Sequence, residues 1–235
     1  DKLFFFGGYE GVRRREASAV PLLTDLRIFQ PTAGQSTVLA ALAASTDPTP
    51  VPCVTGVTVP RAACAAVLTG VLTVDQPVQD LFRQNSGVFP FNTDSHAASF
   101  RGDYVPSAAN TFFLRYSYND REESNQATRA LLAFSRSNNV AVLDHNLTGG
   151  WTHIFSSGMT NELRLQVNYN ELFVTSNDPN GPELNVAGFG FFNRDIFLPS
   201  FNFDRRYEAV NNFSVVSGNH RLKFGGSFLL RDGFF

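Results

Sequence analysis

The sequence predicts an all-β fold, an antiparallel up-and-down meander of about seven strands, on two observations. Polar and apolar residues alternate with a period of two over repeated stretches of about ten residues, which is the side-chain period of a strand and not of a helix. The links between these stretches alternate long, short, long, short, long, short. In a meander, that order gathers every short turn at one end and every long loop at the other.

The opening stretch, LFFFGGYEG, is the first strand. Leu3, Phe5, Gly7 and Tyr9 fall on one face, and Phe4, Phe6, Gly8 and Glu10 on the other. Its glycines are expected to let it lie close to its neighbours. Ser99 to Val105 is the second strand and NTFFLRYSYND the third, with Phe112, Leu114, Tyr116 and Tyr118 opposing Arg115, Ser117 and Asn119. LDHNLTGGWTHIF is the fourth, with Leu147, Trp151 and Phe155 opposite Asp144, Asn146, Thr148 and Thr152.

The clearest alternation is the fifth, TNELRLQVNYNELFV. Leu163, Leu165, Val167, Tyr169 and Phe173 oppose Glu162, Arg164, Gln166, Asn168 and Asn170, and only Glu171 breaks the pattern. Tyr207 to Val216 is the sixth. HRLKFGGSFLLR is the seventh, with Leu222, Phe224, Phe228 and Leu230 against Arg221, Lys223 and Ser227. PSAAN, SSGM and SGN are the tight turns.

The first long link, residues 16 to 96, has a different texture. STVLAALAAS and RAACAAVLTGVL are Ala-rich and read as short helices around Cys53 and Cys64. That spacing is not a zinc pattern. A local disulfide worth about 3 kcal/mol is expected, which points to an oxidising compartment. Two buried thiols are the alternative.

Composition narrows the class. Phenylalanine is abundant, with 24 Phe against 19 Lys plus Arg, yet the mean hydropathy is slightly negative. The apolar residues are therefore interleaved with polar ones. No run of about 18 apolar residues exists, so no transmembrane helix is expected. A net charge of -2 gives no electrostatic reason to expect a nucleic-acid partner.

A soluble sandwich has no reason to sort its loops by end, whereas an outer-membrane barrel does. Strands of about ten residues also cross a bilayer at a tilt near ~45°. The expectation is a part of a transmembrane β-barrel with one large extracellular loop. Tyr116, Tyr118, Trp151, Phe155, Leu163, Leu165, Val167, Tyr169, Phe173, Phe224 and Phe228 are its expected lipid-facing or girdle residues. Arg101, Asp103, Arg115, Glu162, Arg164, Gln166, Asn168, Arg221 and Lys223 are the expected lumen-facing ones. The expected location is the cell outer membrane of a Gram-negative-type bacterium, in contact with lipid and lipopolysaccharide.

Four motifs stand in order: KLFFFGGYEG; Arg101-x-Asp103 with Ser107 and Arg115-Tyr116-Ser117; GWTHIFSSGMTNELRLQVNYN; and LPSFNF followed by NNFSVVSGNHRLKFGGSF. Together they resemble the Oar-like group of TonB-dependent outer-membrane receptors, whose members often carry a carboxypeptidase-regulatory-like domain. The resemblance implies a large monomeric barrel closed by a plug domain. Substrate would bind loops and plug, and the TonB complex would act through the plug. Residues 1 to 235 would then be an early-barrel fragment without its plug, importing a siderophore, oligosaccharide or peptide. Phe4 and Phe6 would face that plug.

Other readings are a passive porin or adhesin barrel and a soluble β-sandwich binding module. An eighth strand near VTGVTVP would allow a small closed barrel. No catalytic, metal or cofactor site is expected, because Asp144-His145 and Thr152-His153 are strand neighbours that point to opposite faces. The substrate site is not legible. RRRE at 13–16 reads as a solvated strand end, with an anion-binding rim as the alternative. GFGFF at 188–192 is either a substrate-contacting patch or a segment folded over the wall.

Overall fold

The computed structural model describes residues 2–20, 22–23, 25–126 and 131–234. In chain order the elements are β1 (Leu3–Val20), α1 (Ala33–Ala43), β2 (Pro50–Val54), β3 (Val57–Pro60), α2 (Arg61–Leu72), α3 (Gln76–Asn85) and β4 (Gly87–Ser107). There follow β5 (Asn110–Gln126), β6 (Asn138–Ser156), β7 (Met159–Ser176), β8 (Leu184–Val186), β9 (Gly190–Phe192), β10 (Ser200–Ser217) and β11 (His220–Phe234). Seven strands form one open antiparallel sheet in the order β1-β4-β5-β6-β7-β10-β11. Each strand pairs with the next in sequence, so the sheet is the expected meander. No described helix is long and apolar enough to cross a membrane.

Three two-residue turns, at 108–109, 157–158 and 218–219, close the hairpins at one end. All three long links lie at the other. The register is continuous along β1 and β4, with Leu3 opposite Tyr104 and Val20 opposite Gly87.

The strands are longer than the alternation indicates, from 15 residues in β11 to 21 in β4. Eighteen residues at ~3.3 Å each span ~60 Å, whereas crossing a ~30 Å hydrocarbon core at ~45° takes only ~42 Å. The ladder therefore continues beyond the membrane towards the long links. Above the membrane both faces meet water, so the alternation vanishes. Arg13 and Arg15 share the outward face with their cross-strand partners Asp94 and Asn92. This corrects the expected first link of residues 16 to 96: β1 runs on to Val20 and β4 begins at Gly87. VTGVTVP is no eighth wall strand, because β3 pairs only with β2 in a separate two-stranded hairpin.

Cross-strand packing explains the glycines among the phenylalanines. Gly7 lies opposite Phe100, and Gly102 opposite Phe5. Gly149 and Gly150 lie opposite Leu114 and Phe113. A Cβ on Gly7 would meet the Phe100 ring at 3.3 Å, and one on Gly150 would meet the Phe113 ring at 2.1 Å. Each large side chain thus covers the bare backbone of its partner, the arrangement that rescues glycine in a strand.

The three long links fold together into one cap. Its buried core is Val20, Leu22, Phe29, Phe82, Ala133 and Phe192, drawn from the end of β1 and all three links. Phe82 packs on Phe29 at 5.4 Å and on Phe192 at 5.0 Å between ring centroids. The GFGFF segment is accounted for here, since Phe192 is fully buried and Phe189 packs against Phe29. Arg136 ties two links through Glu183 at 3.1 Å and Asp195 at 2.9 Å. At the base of the cap, Asn139 donates to Asn177, and Asn177 donates to Asn125.

Beyond this core, α1, β2, β3 and α2 form a small unit, and Cys53 and Cys64 are disulfide-bonded within it with Cα atoms 5.5 Å apart. Thr32 and Gln35 cap α1 reciprocally. Asp25, which caps the short helical turn Leu26–Phe29, has its carboxyl pulled down to about 2 by the Arg27 guanidinium and backbone amide.

Phe82→Ala is expected to destabilise the cap by about 3–5 kcal/mol, as removal of a buried aromatic ring does. Hydrogen exchange should accelerate across residues 26–29, 78–85 and 186–192 while the amides of β6 and β7 stay protected. Uniform loss of protection in sheet and cap would contradict two separable cores. Gly150→Val is expected to push the Phe113 ring out of its seat and slow assembly of the β5–β6 hairpin, read as a delayed gain of heat-resistant gel mobility during refolding into micelles.

Candidate functional site

Two faces of the sheet carry different chemistry, and the register decides which residue belongs to which. Leu163, Leu165, Val167 and Tyr169 on β7 lie opposite Trp151, Gly149, Leu147 and His145 on β6. These lie opposite Phe112, Leu114, Tyr116 and Tyr118 on β5. The same face continues on β11 with Phe224, Phe228 and Leu230, opposite Phe213, Ala209 and Tyr207 on β10. It is apolar and exposed, with Leu165, Val167, Phe224 and Phe228 all open on their outer side. Among the described residues no second sheet packs on it.

Aromatic rings border this face at both ends. Near the turns, stacks link Tyr104 to Phe112 and Phe112 to Trp151, and Phe155 contacts Phe213, which contacts Phe224. Towards the cap, the Tyr9 hydroxyl lies 2.6 Å from His96 Nδ1, and the Tyr116 hydroxyl 2.7 Å from His145 Nδ1. Tyr118 and Tyr169 flank His145. Arg205 lies over Tyr169 and Phe203, and Phe173 meets Phe201.

Two further hydroxyls on the cap side point at carboxylates: Tyr169 donates to Glu171 at 2.7 Å and Tyr118 to Asp120 at 3.2 Å. Glu171, which interrupts the alternation of β7, is thus the polar cap of a girdle tyrosine. The sequence reading identified Tyr118, Tyr169 and Phe173 but missed His96, His145, Phe201 and Phe203. A tyrosine followed two residues on by an acid, Tyr118 with Asp120 and Tyr169 with Glu171, was the signal available for this border.

The opposite face is polar. Arg101, Arg115, Thr148, Gln166 and Glu208 form one row across five strands. Ser99, Ser117, Asn146, Asn168 and Arg206 form the next row towards the cap. Arginines on this face recur with a carboxylate two residues away on the same strand. Arg101 binds Asp103 with two bonds at 2.8 and 2.7 Å, and its guanidinium lies 4.5 Å from the centre of the Phe113 ring. Arg164 pairs with Glu162, Arg14 with Glu16, Arg121 with Glu123 and Arg206 with Asp204.

Asp144 accepts from Asn119 and Asn170 on this face while His145 turns to the other, so the two do not cooperate. His153 instead shares Asn110 Oδ1 with Trp151. Arg221 and Lys223 lie on the polar face beside the turn that opens β11. In the RRRE stretch, Arg15 makes a two-bond pair with Asp94. Among the described residues no group of three His, Cys, Asp or Glu side chains is placed to hold a metal ion.

The chain matches the outer membrane beta barrel domain family over residues 1–234. It belongs to that family. Searches of curated proteins and of solved structures give no match. Membership puts this barrel segment in the outer membrane of a Gram-negative-type bacterium and sets aside the soluble sandwich.

The two faces make opposite predictions for substitution. Leu165→Arg is expected to destabilise the protein in a lipid bilayer by about 2–4 kcal/mol, the penalty for a lipid-facing charge near mid-depth. Gln166→Arg, one residue on, should change stability by less than about 1 kcal/mol because that face is wet. Urea unfolding of the two variants in phosphatidylcholine vesicles measures both; equal penalties would show that the faces do not differ in solvent.

Proposed function

We propose that this chain forms part of the wall of a TonB-dependent receptor that actively imports a large or scarce solute. Its apolar face meets lipid, its polar face lines the solute path, and its cap contributes to the extracellular surface. The observation that carries the reading is the combination on one sheet of a wet, charged wall and a cap with its own hydrophobic core. A passive pore needs the wall alone, whereas a receptor also needs an ordered surface on which solute is first held.

The four ordered motifs that resemble the Oar-like receptors support the same reading. So do Phe4 and Phe6, which stand more than half exposed on the polar face near the turns. Phenylalanines suit a wall that another domain covers, and the plug is that domain in receptors of this kind. Lipopolysaccharide is the partner of the charged band above the girdle, where Arg13 is largely exposed. The receptor acts as a monomer, and its chemistry is binding and conduction, with no enzymatic step.

Uptake through the full-length protein in its host should stop when TonB is deleted or the proton gradient is collapsed, and binding to whole cells should persist. Uptake that continues unchanged without TonB would establish a passive porin instead.

A further inference from the structure

Inside the membrane-spanning band the arginines of the polar face other than Arg115 pair with carboxylates, on their own strand or, for Arg231 with Asp204, on the next. Arg101 and Arg164 each have a carboxylate two residues away on the same strand, and Arg14, Arg121 and Arg206 repeat the pattern nearer the cap. Arg115 does not. The residues two positions from it are Phe113 and Ser117, and its direct cross-strand partners are Arg101 and Thr148. Among the described residues it has no carboxylate partner. Placing two arginines directly opposite each other is unfavourable in a sheet. Asp103 neutralises Arg101, and Phe113 takes its guanidinium onto the ring face, so the uncompensated charge is that of Arg115.

Arg115 also opens onto a cavity of about 590 Å³ on this face. Arg101, Arg164, Ser117, Asn146 and Thr148 line it with Arg115, and no carboxylate does. The lining thus offers three guanidiniums, two hydroxyls and an amide. Arg115 is three residues from Phe112 in the turn-side girdle and three from Tyr118 in the cap-side girdle, so it sits between the two aromatic borders. There the low-dielectric wall strengthens any charge interaction. A planar guanidinium fork matches a carboxylate or phosphate with two parallel bonds.

We propose that Arg115, flanked by Arg101 and Arg164, is a binding station for an oxyanion, so that the imported solute carries a carboxylate or phosphate group. This rests on the polar face being the solute path. The already paired Arg101 and Arg164 hold the local potential positive without binding the anion tightly. Arg115 supplies the free fork, and Ser117, Thr148 and Asn146 supply hydrogen bonds to remaining oxygens. Lipopolysaccharide phosphates meet the other face of the sheet and do not reach the cavity.

The test uses the full-length protein in detergent micelles at low ionic strength, with equilibrium dialysis against radiolabelled inorganic phosphate and, separately, succinate. Saturable binding of at least one anion is expected. Arg115→Gln should weaken it at least tenfold, and Arg221→Gln, which removes a charge from the same face beside the turn, should change it less than twofold. Gel mobility before and after heating verifies that both variants remain folded.

Absence of saturable binding by the unaltered protein, or equal weakening by both variants, overturns the proposal. So does a finding that Arg115→Gln leaves anion binding intact but lowers stability, because Arg115 would then pair with a carboxylate from another segment. Binding is measured without energisation, so its failure leaves the TonB requirement for uptake untouched, and TonB-independent uptake leaves the anion station untouched.

Discussion

The structure depends on one constraint: inside hydrocarbon every backbone N–H and C=O must find its partner within the protein. The registers of the seven-stranded sheet, shifted only near strand ends, meet it for five of the wall strands on both sides. They also fix the side chains, because a ladder that admits no slip holds each residue on one face. The same constraint demands a hydrogen-bonding neighbour for the free edges of β1 and β11 wherever they lie in lipid. Glycine has a place within this frame. Gly7, Gly102, Gly149 and Gly150 carry no side chain of their own, and the facing Phe100, Phe5, Leu114 and Phe113 close the surface over them.

Above the membrane the constraint relaxes and a different organisation takes over. Water satisfies the backbone there, so the lipid-imposed alternation ends and ion pairs such as Arg15–Asp94 stand on the outward face. Loops of this length would be expensive to order singly, because each ordered residue loses backbone entropy. The three links solve this together. Each contributes to one core around Phe82 and Phe192, and Arg136 and the Asn125–Asn139–Asn177 set tie that core to the strand ends. The disulfide-bonded unit with α1 and α2 stands outside the core, and α1 buries no residue fully, with only Leu39 and Leu42 half-buried.

The polar face shows how charge is kept in a membrane wall. An arginine with a carboxylate two residues along the strand is neutralised locally, needs no help from other strands and leaves the wall wet. That arrangement accounts for Arg101 and Arg164 and leaves Arg115 distinct. The apolar face uses a related device at its cap-side border, where tyrosine hydroxyls reach past the ring to Glu171 and Asp120. Both devices work through the two-residue period, which places i and i+2 side by side on one face.

That period is why the wall was legible in the sequence. Alternation in β5, β6, β7 and β11 fixed their existence, their faces and the sorting of turns from long links, because lipid on one side and water on the other impose opposite chemistry on successive residues. It gave out where that difference ends. The tops of β1 and β4, which carry no polar–apolar alternation, were indistinguishable from loop, so residues 16 to 96 looked like one link. VTGVTVP offered an eighth wall strand that the structure makes a hairpin, since a short apolar run does not say what it pairs with.

GFGFF, Phe82 and Ala133 gave no hint that they would meet, because their contacts join residues far apart in the chain. The same holds for Arg115. Its place on the polar face follows from the sequence alone, but its standing opposite Arg101, without a carboxylate, depends on strand register. Local alternation determined the wall; long-range packing decided the cap, the girdle partners and which arginine was left free.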